Sequence, residues 1–251
     1  MKLNTIAASL ATAAALSLAS TSASALTVAG VTWDPDAGVD FVSNTAFFQT
    51  VATTAGDSIT GFGYISSFNG RTPATFCPGC ELTFQFYDFV LDSNLTGTSG
   101  ETFNFTGGVL DVGGSGTNFS QFDLDTAIDG TLFLRLVGVD IDNDGFTLAG
   151  SITDVSTSGL AGRGSGFLNV AGGVAAHYFD TNGETGGADI LYTSSFTPLT
   201  TPEIIDGVTY THGGSADIRG DTTAVPEPGA LALLGIGLVG LGAARRMKKA
   251  A

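Results

Sequence analysis

Of 251 residues, 24 are acidic and nine are Lys or Arg, giving a formal net charge of −15 at pH 7, and 36 are glycine. All the acids lie between Asp34 and Glu227, where Arg71, Arg135, Arg163 and Arg219 are the only basic residues, so that stretch carries 24 negative charges against four positive, a balance of −20. Such a charge repels nucleic acid and anionic membrane surfaces, and no nucleic-acid partner is expected, while the excess of Asp over Glu suits turns and calcium more than helices.

The chain opens with a lysine at position 2, an Ala/Leu-rich centre and Ala23-Ser24-Ala25. A basic start, an apolar middle and small residues at the end predict a secretory signal peptide over residues 1–25, cut between Ala25 and Leu26. A buried N-terminal helix is the alternative, but the run is short and uniform and stops where strand-like sequence begins. Residues 26–224 then form one domain with room for a sizeable core. No lysine occurs between Leu26 and Met247, so Lys–Asn isopeptide bonds are unavailable to it. Outside the cell the acidic surface also serves solubility.

Trp33 is the only tryptophan. Core packing is its expected role, with stacking on a sugar ring the alternative if it is exposed. Leu82, Phe84 and Phe86 alternate with Thr83, Gln85 and Tyr87. Leu132, Leu134 and Leu136 alternate with Phe133, Arg135 and Val137 in the same way, the period of pleated strands. Similar runs cover 39–51, 58–65, 102–112, 166–179 and 189–196, and clusters of Gly, Asn, Asp and Ser at 113–118 and 181–187 read as turns and loops. The glycine-dense Gly162 to Phe167 segment reads as a loop or bulge. With no repeat, the expected fold is all-β, an antiparallel β-sandwich of jelly-roll or lectin-like type, with a barrel as second choice.

Both cysteines lie in Cys77-Pro78-Gly79-Cys80. The spacing is that of a redox motif, but such a pair opens a helix that lowers the thiol pKa, and here Cys80 leads into an alternating strand. Pro-Gly suits the centre of a type II turn, which brings the flanking residues within disulfide reach. A stapled turn is expected, with redox activity and free or metal-bound thiols as alternatives. An exported location favours the disulfide.

Asp140, Asp142 and Asp144 followed by Gly145 match the front of a calcium loop, where alternate carboxylates converge on a hard cation. The twelfth position is Ser151 instead of the bidentate Glu, and the flanks read as strands. The segment therefore reads either as an acidic hairpin turn around Asn143-Asp144-Gly145 or as a calcium site completed by other donors, with Asp123, Asp125 and Asp129 as candidates. Catalytic motifs are weak: no Gly-x-Ser-x-Gly elbow, P-loop or His-Glu-x-x-His occurs. His177 beside Asp180, and His212 near Asp206 and Asp217, are neighbours that a chain rich in Ser and Asp supplies by chance. No catalytic residue is assigned, and the chain is expected not to be an enzyme.

The C-terminus, 225–251, holds Pro226-Glu227-Pro228, an uncharged run from Ala230 to Ala244, and a basic cluster of Arg245, Arg246, Lys248 and Lys249. Fifteen residues of helix span roughly 22 Å, short against a hydrocarbon core of about 30 Å. The segment inserts marginally, with its basic end held on the cytoplasmic side. The ordered triplet, apolar span and basic end resemble the PEP-CTERM sorting signal of exopolysaccharide-producing Gram-negative bacteria. Short stretches around Trp33, Cys77 and Asp217 are similar to segments of β-rich proteins that carry this signal. The resemblance implies recognition of Pro226, Glu227 and Pro228 by an exosortase and removal of the tail near them, after transient anchoring in the inner membrane. A plain single-span anchor is the alternative.

The expected function is that of an exported surface or exopolysaccharide-matrix protein with a structural or adhesive role. A calcium-dependent carbohydrate-binding module is the alternative, and a secreted glycan-active enzyme the third reading.

Overall fold

The computed structural model describes residues 25–35, 39–43, 47–115, 118–223 and Gly237. The expected signal peptide up to residue 24, Pro226, Glu227, Pro228, Arg245, Arg246, Lys248 and Lys249 lie outside the described residues.

Strands β1 (Leu26–Val28) and β2 (Val31–Trp33) form a separate hairpin. The rest are β3 (Val39–Ser43), β4 (Phe47–Gln49), β5 (Ser58–Tyr64), β6 (Ser67–Phe68), β7 (Glu81–Leu91), β8 (Thr102–Ser115), β9 (Thr131–Val139), β10 (Leu148–Ser156), β11 (Gly159–Gly172), β12 (Ile190–Ile205) and β13 (Val208–Gly220). Among the described residues three single α-helical turns interrupt them, α1 (Pro73–Phe76), α2 (Asp125–Ile128) and α3 (Ala176–Phe179), with a 3-10 turn at Thr185–Gly187.

Every neighbouring pair is antiparallel, and the pairing returns to its start. β5 pairs with β7, β7 with β8, β11 with β12, and β12 with β13. Collinear strands share the remaining positions. β9 and β10 both lie between β8 and β11. β3 and β4 both pair with β13, and face β6 and β5 respectively. The result is an up-and-down barrel of eight ring positions. The all-β expectation holds, and the closed ring is the second choice, the barrel, instead of two unconnected sheets. Alternation alone does not separate them, because both architectures turn every second residue inward.

Bulges shift that alternation. In β7 the buried apolar residues run Leu82, Phe84, Phe86 and then Phe89, Leu91, the phase changing at Asp88, which has φ +60°. In β8 they run Phe103, Phe105 and then Leu110, Val112, changing at Gly107 and Gly108, both with positive φ. The paired kinks bend the wall in one place. A register shift between β8 and β9 at Val112/Gly113 brings Phe133 into the core beside Leu134, where strict alternation places Leu132 inside and Phe133 outside. The 166–179 run is strand only to Gly172 and ends in α3, and Gly162 to Phe167 is interior β11 instead of a loop.

The two ends of the barrel differ. One is plugged by the β1–β2 hairpin, whose Ala29-Gly30 turn has positive φ at both residues, the type I′ geometry that matches strand twist. Trp33 is fully buried there, its ring centroid 5.6–6.0 Å from those of Phe68, Phe133, Tyr178 and Phe179. It is a core residue and presents no face to a sugar. The opposite end is lined by Phe89, Phe103, Phe105, Leu148 and Phe196. Outside the wall, the segment around α2 covers a smaller apolar cluster of Phe62, Ala127, Ile205 and Tyr210.

Candidate functional site

The acidic loop is not a hairpin turn. β9 and β10 do not pair with each other; they run collinearly between β8 and β11, and residues 140–147 leave the wall between them. Asn143 and Gly145 adopt φ +63° and +94°, which closes the loop. The Asp140 carboxylate accepts the backbone N–H groups of Asp144 at 3.2 Å and Gly145 at 2.8 Å. Those donors, Gly145 first, hold its pKa below the usual carboxylate range. Asp144 in turn accepts the N–H of Phe146 at 2.8 Å.

One carboxylate oxygen from each of Asp140, Asp142 and Asp144 lies within 4.8 Å of the others. The spacing is compatible with common coordination of a hard cation, and Asp140 retains lone pairs for it. The further donors expected from Asp123, Asp125 and Asp129 are elsewhere. They precede β9 around α2, whereas Asp140 follows β9, a nine-residue strand of roughly 30 Å. Asp129 instead accepts the Asn118 amide at 2.9 Å.

The cysteine motif forms the expected turn. Cys77 and Cys80 are at disulfide distance, with Cα atoms 5.1 Å apart. The Cys80 N–H donates to the Cys77 carbonyl at 3.0 Å and Gly79 has φ +85°, the type II pattern. α1 ends at Cys77 instead of beginning there, so no helix N-terminus faces a thiol. The staple leads into β7 and lies against the Gly30 turn of the plug.

The hydroxyl against His212 is that of its chain neighbour Thr211, and the other ring nitrogen of His212 meets a backbone carbonyl instead of an orienting carboxylate. His177 lies on α3 against the Tyr178 ring. His212 is buried in β13, its Nε2 at 2.9 Å from the Leu160 carbonyl and its Nδ1 at 2.8 Å from the Thr211 hydroxyl. That geometry fixes the neutral tautomer with the proton on Nε2, and desolvation holds the His212 pKa below its ordinary value.

One feature was not read from sequence. Gln85, Tyr87, Asp111 and Arg135, from β7, β8 and β9, line an exterior groove of about 430 Å³ beside α2. Arg135 binds Asp111 through two contacts of 2.7 Å, and Tyr87 donates to the same carboxylate at 3.2 Å. Burial and then the Asp111 charge raise the Tyr87 pKa. The outward positions of alternating strands carried these residues in sequence; their cross-strand register, which brings them together, did not show there.

A family model described as the PEP-CTERM protein-sorting motif matches residues 224–246. The chain therefore carries this sorting motif, which marks a secreted protein directed by an exosortase to the bacterial cell envelope or surface. No curated protein and no solved structure matches the chain.

Proposed function

We propose that this chain is a non-enzymatic protein of the envelope or the exopolysaccharide matrix of a Gram-negative bacterium, in which the barrel has a structural or adhesive role. The observation that carries the reading is the sorting motif at 224–246. The physics of the tail supports it: an apolar run too short for a durable span, followed by a basic stop, suits transient insertion in the inner membrane and subsequent cleavage. A net-negative, disulfide-stapled barrel with a packed core suits a hydrated extracellular setting. Intact mass of protein recovered from envelope and matrix, with and without exosortase, is the test. Loss of the residues after Pro228 only when exosortase is present supports it; retention of Arg245 to Lys249 in both strains makes the tail a plain anchor and overturns it.

A calcium-dependent carbohydrate-binding role is the second reading, favoured by the convergence of Asp140, Asp142 and Asp144 within 4.8 Å. With Trp33 buried, a glycan would be read by other groups, and the exterior groove offers Tyr87 with Gln85 and Arg135. Calorimetric titration is expected to give one calcium site in the native protein and none in Asp142→Asn/Asp144→Asn. No heat at millimolar calcium removes this reading, and a glycan array run with and without calcium tests its second half.

A further inference from the structure

The end of the barrel opposite the Trp33 plug is not filled. A cavity of about 40 Å³ lies there, and the residues around it come from β4, β5, β7, β8, β10, β11 and β12, seven of the eight ring positions, so it is the lumen itself. A space of this size takes roughly three water-sized occupants, the bulk of a chain end of three or four carbons.

The reason it stays open is a repeated cross-strand pairing. Phe86 sits opposite Gly61, Phe103 opposite Gly150, and Phe196 opposite Gly162. In each case the phenyl ring occupies the place that a Cβ on the glycine would take. The rings therefore lie along the wall and line the lumen without crossing it, a use of glycine that lets an aromatic cover its strand. Filling by side chains, the usual state of an eight-position barrel, is complete only at the Trp33 end.

The lining is chemically selective. None of the described side chains around the cavity is charged. Gln49 is buried at its edge and has no side-chain partner among the described residues, so its amide offers both a donor and an acceptor. Across the mouth, the 50–57 and 92–101 segments are tied together: the Leu95 N–H donates to the Thr53 carbonyl at 2.9 Å, and the Ala55 N–H to the Asn94 side chain at 2.8 Å. Leu95 faces the cavity from that cover.

We propose that this lumen is a binding site for a small uncharged amphipath, whose aliphatic chain end enters between Phe103, Phe196 and Leu160 and whose hydroxyl or amide head pairs with Gln49. An anion is disfavoured because the lining supplies no cation and the surrounding protein is strongly negative.

The test is a titration of the full-length protein with straight-chain 1-alkanols, from 1-propanol to 1-octanol, followed by NMR at the methyl groups of Leu148, Ile152 and Leu160. The dissociation constant is expected to tighten about fourfold per methylene while the chain enters the lumen, then to level off once the cavity is full. Ala52→Leu, which adds bulk at the lining, is expected to weaken binding at least tenfold with an unchanged thermal midpoint. Gln49→Leu weakens alkanols but not alkanes of the same length. Should Ala52→Leu fail to fold, Leu160→Ala provides the second arm, by moving the levelling-off to longer chains. The proposal is overturned if those methyl groups do not shift up to the solubility limit, if affinity keeps rising through 1-octanol, or if a folded Ala52→Leu responds like the parent.

Discussion

Asp189 is buried, and its carboxylate accepts three backbone N–H groups, from Val170 at 2.8 Å, Thr181 at 2.8 Å and Asn182 at 2.7 Å. It ties β11 to the loop that follows α3, a segment with no regular ladder of its own. Asp189→Ala strands those donors, and hydrogen bonds to a charged acceptor are worth more than neutral ones. A loss on the order of 3 kcal/mol in urea-unfolding free energy is expected, and a loss below about 0.5 kcal/mol would show that water replaces the carboxylate. His212 gives a pH dependence of known sign. Its folded pKa is depressed, by desolvation first, so the unfolded chain takes up the proton earlier as pH falls. Its contribution is present in full above the unfolded value near 6.5 and is lost progressively below it. Urea midpoints measured between pH 7.5 and 5.5 are expected to fall for the parent and to fall less for His212→Gln; parallel slopes would remove His212 as the cause. The role of His212 was not legible in sequence, because burial by Leu160 and Phe196 depends on strands far away in the chain.

At the scale of elements, period-two alternation located the strands well and their irregularities poorly. Runs such as Leu82 to Phe86 carry the pleat in their own residues, whereas the phase change at Asp88 answers the Gly107-Gly108 kink on the partner strand. Glycine was the least legible residue. Its abundance read as turns, which holds at Gly30, Gly79 and Gly207 with their positive φ, but Gly61, Gly150 and Gly162 lie inside strands beneath phenyl rings. Which phenylalanine lies over which glycine is a property of register, and register is not written in either strand alone. The acidic loop shows the same limit: its flanks were legible as strands, but their collinearity between β8 and β11 was not. Gly61→Val is expected to displace the Phe86 ring and press against the Phe48 carbonyl, with destabilisation of about 3 kcal/mol or more as an overpacked core site. Thermal melts check this. An unchanged midpoint would mean that Phe86 relaxes freely, and the account of the open lumen would lose its premise.

For the whole molecule, closure into a ring removes sheet edges, so the barrel presents mostly outward side chains and loops, and these carry most of the acids. The all-β class and the sorting of the chain were legible early, from alternation and from the motif at 224–246, because each is local. Closure was not, since it rests on β12 meeting both β11 and β13 while the N-terminal strands complete β13 from the other side. Putting the 22 acids and four arginines of the described residues on one compact body, a balance of 4 − 22 = −18, raises its self-repulsion above that of the extended chain. Among the described residues, Arg135–Asp111 and Arg219–Asp217 are the salt bridges that offset it. Screening lengths fall from about 30 Å at 0.01 M to about 10 Å at 0.1 M salt, so sodium chloride over that range is expected to raise the thermal midpoint by several degrees. Calcium compared at matched ionic strength then separates general screening from a site. An additional rise at millimolar calcium, absent in Asp142→Asn/Asp144→Asn, assigns the increment to the loop after β9. Equal midpoints at equal ionic strength leave the acids as a solvated surface alone. A midpoint that falls with sodium chloride would mean that specific ion pairs outweigh the repulsion, against the excess of carboxylates over arginines.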